Sequence, residues 1–225
     1  MIRTKSVLAV IPARGGSKGV RRKNLRDVAG KPLLAWTIEA AKKSKYIDRI
    51  VLSSEDAEII ETAKKWGCEA PFTRPKELAA DATPGVDPVL HALDQLPRHD
   101  LIVLLQPTSP LRTAEDIDAC LERCVNAQAP CVVSVAESAK SPYWMYELDA
   151  KGRMNPVLES RGATRQELPK AHVVNGAVYV AETDWFKRTK AFLSAETLAH
   201  VMPAERSLDV DSEFDLRVAS AILNS

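Results

Sequence analysis

An excess of charge of one sign is missing from this sequence: 31 Lys and Arg stand against 30 Asp and Glu, a net charge of +1. Nucleic-acid affinity rests on summed phosphate neutralisation, so this balance excludes a dedicated polyanion binder. Long apolar runs are missing too, and nothing approaches the roughly 20 residues that a membrane span needs. The start imitates a secretory leader, with Arg3 and Lys5 before the apolar run Val7 to Ala13, but Pro12 and Arg14 interrupt its end. That run therefore reads as a first strand, and the chain is expected to be cytoplasmic and off the membrane. The 4 cysteines show no C-x-x-C spacing. Cys120 and Cys124 fall one helical turn apart, the pattern of buried thiols in a reducing compartment rather than of a metal pair. The 4 histidines, His91, His99, His172 and His200, are scattered, and none is given a catalytic role. There is no internal repeat, low-complexity tract or linker, so residues 1–225 are expected to form one domain.

What the chain does contain is short apolar runs alternating with helical periods, the mark of βαβ units and a mostly parallel sheet. Strands are expected at Val7–Pro12, Arg49–Ser54, Asp100–Pro107, Cys131–Glu137 and His172–Glu182. Asp100–Pro107 is the longest apolar run and should lie centrally, covered on both faces. Helices are expected from Pro32, with that proline in the first turn, and over Ala57–Gly67, stopped by the glycine. Two more are expected at Val86–Leu96 and Thr113–Ala127, the last with Thr113 as N-cap and Asp116 at the capping-box position. Residues 138–170 are rich in turn formers and read as a hairpin-like excursion. An extended acidic segment and a C-terminal helix close the chain.

The stretch most suggestive of chemistry is IPARGGSKGVRRKN, Ile11 to Asn24. Its glycines allow close backbone approach, so N–H groups can face an anion, and Arg14, Lys18, Arg21, Arg22 and Lys23 supply opposite charge. It is not a Walker loop, because Gly19 is followed by Val20 rather than by Lys and Ser or Thr. Nor is it a dinucleotide fingerprint, because Gly15 and Gly16 are adjacent and a basic segment follows. Taken alone it could be a solvated basic loop. Its place after the first strand of a parallel sheet favours a ligand site. In SLDVDSEFDL, Asp209 and Asp211 point to one face of an extended segment, about 6–7 Å apart at ~3.3 Å per residue. They could share one hard cation with phosphate oxygens and water. Asp215 fits better as a surface residue of the last helix.

The order IPARGGSKGVRRKN, GKPLLAWTI, SSEDAEI, RPKELAAD, LLQPTSPLR, NGAVYV and SLDVDSEFDL resembles the acylneuraminate cytidylyltransferases, the CMP-sialic acid synthetases. The resemblance covers nearly the whole chain. It implies a Rossmann-like α/β nucleotidyltransferase fold with flanking helices and a small excursion used in dimerisation. It also implies that CTP and a nine-carbon 2-keto acid give a CMP-sugar and pyrophosphate, with Mg²⁺. On this resemblance Arg14, Ser17, Lys18 and Lys23 hold the triphosphate, and Asn24, Arg74 and, more weakly, Asp81 contact the nucleotide. The residue after Arg74 is Pro75, so Arg74 could instead be a locked surface residue. The resemblance sets Gln106, Arg165, Asn175 and Tyr179 on the sugar side. Phe192 could pack against an N-acyl methyl or serve the core. Catalytic roles fall to Arg14, Lys18, Lys23 and Asp211, and the metal to Asp209 and Asp211. A homodimer is expected, with Tyr143, Trp144 and Met145 near the interface or the neighbouring site.

One departure bears on the substrate. Members specialised for N-acetylneuraminate commonly carry a basic residue and proline before the NGA block, where this chain has Val173 and Val174. Less charge and more apolar surface suit a less hydroxylated acid of the legionaminic type. Two other readings stay open: a CMP-Kdo-type synthetase, which shares the opening strand and loop, and a non-catalytic nucleotide-binding module.

Overall fold

A computed structural model describes residues 1–159, 164 and 166–225. Its first half contains β1 (Val7–Pro12), β2 (Asp27–Val28), β3 (Lys31–Pro32), α1 (Leu33–Lys43), β4 (Arg49–Ser53), α2 (Ala57–Lys65), α3 (Asp87–Gln95) and β5 (Leu101–Leu104). There follow α4 (Ala114–Asn126), β6 (Cys131–Glu137), β7 (Tyr146–Leu148), β8 (Met154–Pro156), β9 (His172–Glu182), α5 (Thr183–Thr189), β10 (Thr197–Met202) and α6 (Glu213–Leu223).

Period-2 alternation of apolar residues explains the three layers. On β1, Val7, Ala9 and Ile11 join the core beneath α1, α2 and α4, while Leu8 and Val10 join that beneath α3 and α5. The main sheet has 6 strands in the order β10-β6-β9-β5-β1-β4. β4, β1 and β5 run parallel, as do β6 and β10, and β9 is antiparallel to both of its neighbours. The mostly parallel expectation therefore holds, with one reversed strand at the middle. β5 is central and buried along its length, with both faces covered. This is a Rossmann-like arrangement, with helices on both faces of the sheet.

Local signals act largely where the sequence put them. Thr113 and Asp116 exchange both bonds of the capping box at the start of α4. Gly67, at φ +83°, follows the end of α2. Pro32 stands at the N-cap of α1, one residue ahead of the helix. Cys68, Cys120, Cys124 and Cys131 are buried, and desolvation raises each thiol's pKa, that of Cys124 to about 11. β10 and the small β2–β3 hairpin were not expected. β10 is an edge strand, and exposed positions alternate with half-buried ones along it, which dilutes its apolar signal.

The excursion forms an antiparallel hairpin, with Tyr146, Glu147 and Leu148 opposite Pro156, Asn155 and Met154. Its apolar side chains are open to solvent, with Leu148 at 69% and Met154 at 60% exposure. Arg165 lies outside the described residues. Among the described residues no helix is long and apolar enough to cross a membrane.

A third, smaller core positions the site. Val20 from the glycine loop packs with Val28, Leu33, Val210, Leu216 and Ala219. It fastens the loop after β1 to the acidic segment before α6, although the two are remote in sequence.

Candidate active site

The loop after β1 is held in shape by its own polar groups. The Asn24 Nδ2 donates to the Arg14 carbonyl at 2.9 Å, bracing the loop across its mouth. The Gly15 N–H donates to the Glu55 carboxylate at 2.7 Å, so it does not join a continuous row of donors facing one anion. Arg22, in the left-handed region at φ +56°, turns away and binds Asp56 and Glu58. Arg22 thus serves the scaffold, and its hydrogen bonds hold the Asp56 carboxyl below the usual range. Arg14, Lys18 and Lys23 face carboxylates of the site. Arg14 and Lys18 grip the two oxygens of Asp81 at 2.7 and 3.1 Å. Lys18, first, and Arg14 keep the pKa of Asp81 low. The Lys23 ammonium donates to the Val210 carbonyl at 2.8 Å and pairs with Asp211 at 2.9 Å.

Arg74 is buried, with 3% of its surface exposed, which removes the surface-residue alternative. Its Nη2 donates to Glu55 at 2.6 Å, so Glu55 bridges the glycine loop and this arginine. The sequence reading missed Glu55. The available signal was its place just after β4, at the same carboxyl edge of the sheet as the loop after β1.

The acidic segment is shaped by one buried valine. Val210 is fully covered in the third core, and its N–H donates to the Thr108 carbonyl at 2.8 Å. In extended backbone a buried Val210 sends both of its neighbours, Asp209 and Asp211, to the opposite side. Asp215 proves to be more than a surface residue. It accepts from the Ser212 N–H and hydroxyl at 2.8 and 2.7 Å, completing the capping box of α6. It also accepts from the Asp211 N–H at 3.1 Å. Asp209 is open to the cavity yet walled by protein. Desolvation, with Asp211 and Asp215 nearby, raises its pKa, against the Thr108 hydroxyl and Lys23, which lower it.

These parts meet in a cavity of about 340 Å³ at the carboxyl ends of β1 and β5. Arg14, Ser17, Lys23 and Asn24 form one wall, Arg74 and Asp81 a second, and Gln106, Asp209 and Asp211 a third. Gln106 lies directly over Gly176. That glycine has φ +74°, and a Cβ there would stand 2.7 Å from the Gln106 Oε1.

Likenesses to known proteins extend over nearly the whole chain. A family model described as Cytidylyltransferase matches residues 8–150. This chain belongs to the cytidylyltransferase family. It is 34% identical to the N-acylneuraminate cytidylyltransferase of Escherichia coli O18:K1:H7, over 98% of this chain and 52% of that protein. It therefore spans about half the length of that relative. It is 32% identical to the CMP-N,N'-diacetyllegionaminic acid synthase of Legionella pneumophila, with 96% of each chain covered. A solved CMP:2-keto-3-deoxy-manno-octonic acid synthetase complexed with CTP has TM-score 0.75 and 17% identity, over 97% of this chain and 98% of that one. That last likeness concerns the fold alone.

In this cytidylyltransferase several expected site residues lie behind the cavity rather than in its wall. Asn175 is buried: its Oδ1 accepts from the Ser134 hydroxyl at 2.6 Å and its Nδ2 donates to the Ser207 hydroxyl at 3.0 Å. Its polar capacity is spent internally, tying β9 and β6 to the segment that leads to Asp209. Tyr179 is half-buried on β9, its ring 5.3 Å from that of Phe192, and burial, then the charge of Asp209, raises its pKa. Phe192 stacks at 4.5 Å on Phe186 inside the core. The core alternative for Phe192 is therefore the correct one, since nothing of it reaches the cavity wall. Lys18 sits at the outer rim, 81% exposed, and meets the site through Asp81.

Proposed function

We propose that this cytidylyltransferase works in the cytoplasm, transferring CMP from CTP to the anomeric hydroxyl of a nine-carbon 2-keto acid and releasing pyrophosphate. The observation that carries this reading is the convergence in one cavity of a cationic loop, a carboxylate pair and a carboxamide. In such a reaction the protein's task is to align nucleophile and leaving group and to neutralise growing charge. Arg14 offers a planar fork for phosphate oxygens, while Lys23 offers a point charge that the phosphates draw from Asp211. Gln106 both donates and accepts, which suits a hydroxyl-bearing partner. The buried Arg74–Glu55 pair holds the nucleotide side of the cavity rigid.

Asp209 and Asp211 would hold Mg²⁺. The donors suit it: hard carboxylate oxygens share one side of an extended segment, and Asp209 is crowded by negative charge that a cation relieves. Among the described residues no cluster of three or more acidic, His or Cys side chains could hold a metal. The remaining ligands would therefore be phosphate oxygens and water. Bound there, Mg²⁺ would polarise the α-phosphate and ease ionisation of the attacking hydroxyl.

The decisive experiment is a screen of CTP, UTP, ATP and GTP against several 2-keto sugar acids, read as pyrophosphate release. Release is expected only with CTP, a nonulosonic acid and Mg²⁺. Nucleotide binding without release for any acid would leave the non-catalytic module, and preference for an eight-carbon acid would favour the Kdo-type reading. Val173 and Val174 are exposed at 54% and 38%, beside the expected sugar side. They support a less hydroxylated, legionaminic-type acid. Equal kcat/KM for N-acetylneuraminate and diacetyllegionaminate would defeat that preference.

We also propose a homodimer through the hairpin of β7 and β8, where Trp144 and Met145 are each 43% exposed amid further apolar side chains. Patches of this kind mark interaction surfaces. A hydrodynamic mass of one chain at assay concentration would remove the proposal.

A further inference from the structure

Gln106 is the carboxamide on the sugar side of the cavity, and its main chain is held from behind by a charge. Arg112 ends the PTSPLR turn and is buried, with 3% of its surface exposed. Its Nη1 donates to the Ala177 carbonyl at 2.7 Å and to the Gln106 carbonyl at 3.2 Å. Its Nη2 donates to the Thr37 hydroxyl, which itself reaches the Gln106 carbonyl at 3.4 Å. The Gln106 carboxamide rests on Gly176, next to Ala177. One guanidinium thus grips both pieces of backbone between which the carboxamide is seated.

The setting is unusual for a purely structural clamp. Among the described residues no carboxylate pairs with Arg112. The nearest acid to influence it, Asp116, is committed to Arg206 at 2.9 and 2.8 Å. The Arg112 Nε has no hydrogen-bond partner. Burial pushes the pKa of the guanidinium down to about 9, which leaves it charged at neutral pH. An apolar residue of similar volume in its place would leave the carbonyls of Gln106 and Ala177 without this donor.

We propose that Arg112 is a positioning residue for the transfer reaction: by fixing the carbonyls of Gln106 and Ala177 it sets the direction in which the Gln106 carboxamide meets the acceptor acid. The inference rests on the reading of the cavity given above, with Gln106 on the acceptor side. It differs from a stability role in what it couples. Loss of Arg112 should act on the acceptor rather than on CTP, and only while Gln106 is present.

The test is a double-mutant cycle with Arg112→Met and Gln106→Ala, measured in the whole chain by steady-state kinetics for both substrates. Each single variant is expected to lower kcat/KM for the acid by about 10- to 30-fold, with KM for CTP changed less than about three-fold. The double variant should be no worse than Gln106→Ala alone. Multiplied effects, or an equal rise in KM for CTP, would overturn the inference while leaving the proposed function intact. If Gln106→Ala leaves acid kinetics unchanged although CTP-dependent release continues, the acceptor-side assignment of Gln106 falls, and the inference with it. Should Arg112→Met fail to fold, Arg112→Lys closes the same cycle. It keeps the charge but lacks the fork needed for three acceptors, and the same non-additivity with Gln106→Ala is expected.

Discussion

Replacing Asp211 by asparagine is expected to reduce Mg²⁺-dependent turnover at least about 100-fold, roughly 2.7 kcal/mol in the barrier, while the fold survives. Asp211 is 78% exposed along its side chain, and an ion pair whose carboxylate is so open to solvent contributes little to stability. The variant keeps the N–H that bonds Asp215 and the carbonyl that faces Gly19. A second consequence concerns pH. Asp211 is one of the neighbours that hold the Asp209 carboxyl above its ordinary range. Because Asp209 must ionise to take a cation, activity in the parent at limiting Mg²⁺ should fall on the acid side at a pH above that of a free carboxylate. Removing the charge of Asp211 lowers the pKa of Asp209, so the acid limb of the residual activity should move to lower pH. The stability linkage has the matching sign. A carboxyl whose pKa is raised by folding opposes the folded state once pH passes through that raised value. The variant, relieved of part of that opposition, should melt no lower than the parent at neutral pH. Binding of CTP without metal should be retained or tightened, since Lys23 loses a competing carboxylate. Unchanged turnover, or loss of CTP binding together with turnover, would remove Asp211 from the metal role.

Much of this was legible in the sequence, because it was carried by short-range rules. The strands of the sheet announced themselves as apolar runs. The capping box at Thr113 and Asp116, and the stop at Gly67, follow from local hydrogen bonding and backbone freedom. The loop after β1, the turn at Gln106 and the Asp209–Asp211 pair were each visible as a departure from scaffold composition. What was not legible is how the parts are braced against each other. Glu55 drew no reading from the sequence, and only its nearness to both Gly15 and Arg74 gives it a place. Arg112 ends the turn after Gln106, and two of its three acceptors come from α1 and β9, far away along the chain. Asn175 was drawn toward the cavity by the motif around it, and Phe192 was left open between the cavity and the core. The direction of Asn175 on a bulged, reversed strand cannot be read from spacing, however, and both side chains point into protein. β10 was missed because an edge strand needs only one covered face, so its apolar content resembles that of a loop.

The third core makes a sharp steric prediction at Gly19. A methyl group there would stand 2.1 Å from the main-chain oxygen of Asp211, which, unlike the tip of a flexible side chain, cannot swing aside. Gly19→Ala must therefore lift the loop or push back the acidic segment. Either movement strains the packing of Val20 against Val210, both buried in the core they share. Overpacking of this kind costs about 1–3 kcal/mol, and a fall in Tm should register it. The larger effect is on function. Lys23 reaches the Val210 carbonyl and Asp211 from the same loop, so separating the two walls misaligns the phosphate-facing cation and the carboxylate pair together. A displacement of about 1 Å at a reacting site can cost on the order of 100-fold in rate. We expect kcat/KM for CTP to fall by about 30- to 100-fold in Gly19→Ala, more than its loss of stability would suggest. Gly16→Ala supplies the comparison in stability, because a Cβ at Gly16 meets nothing within 4 Å and its Tm should match the parent. Equal Tm values for the two variants, with Gly19→Ala fully active, would mean that the loop and the acidic segment do not make the close contact on which the cavity depends.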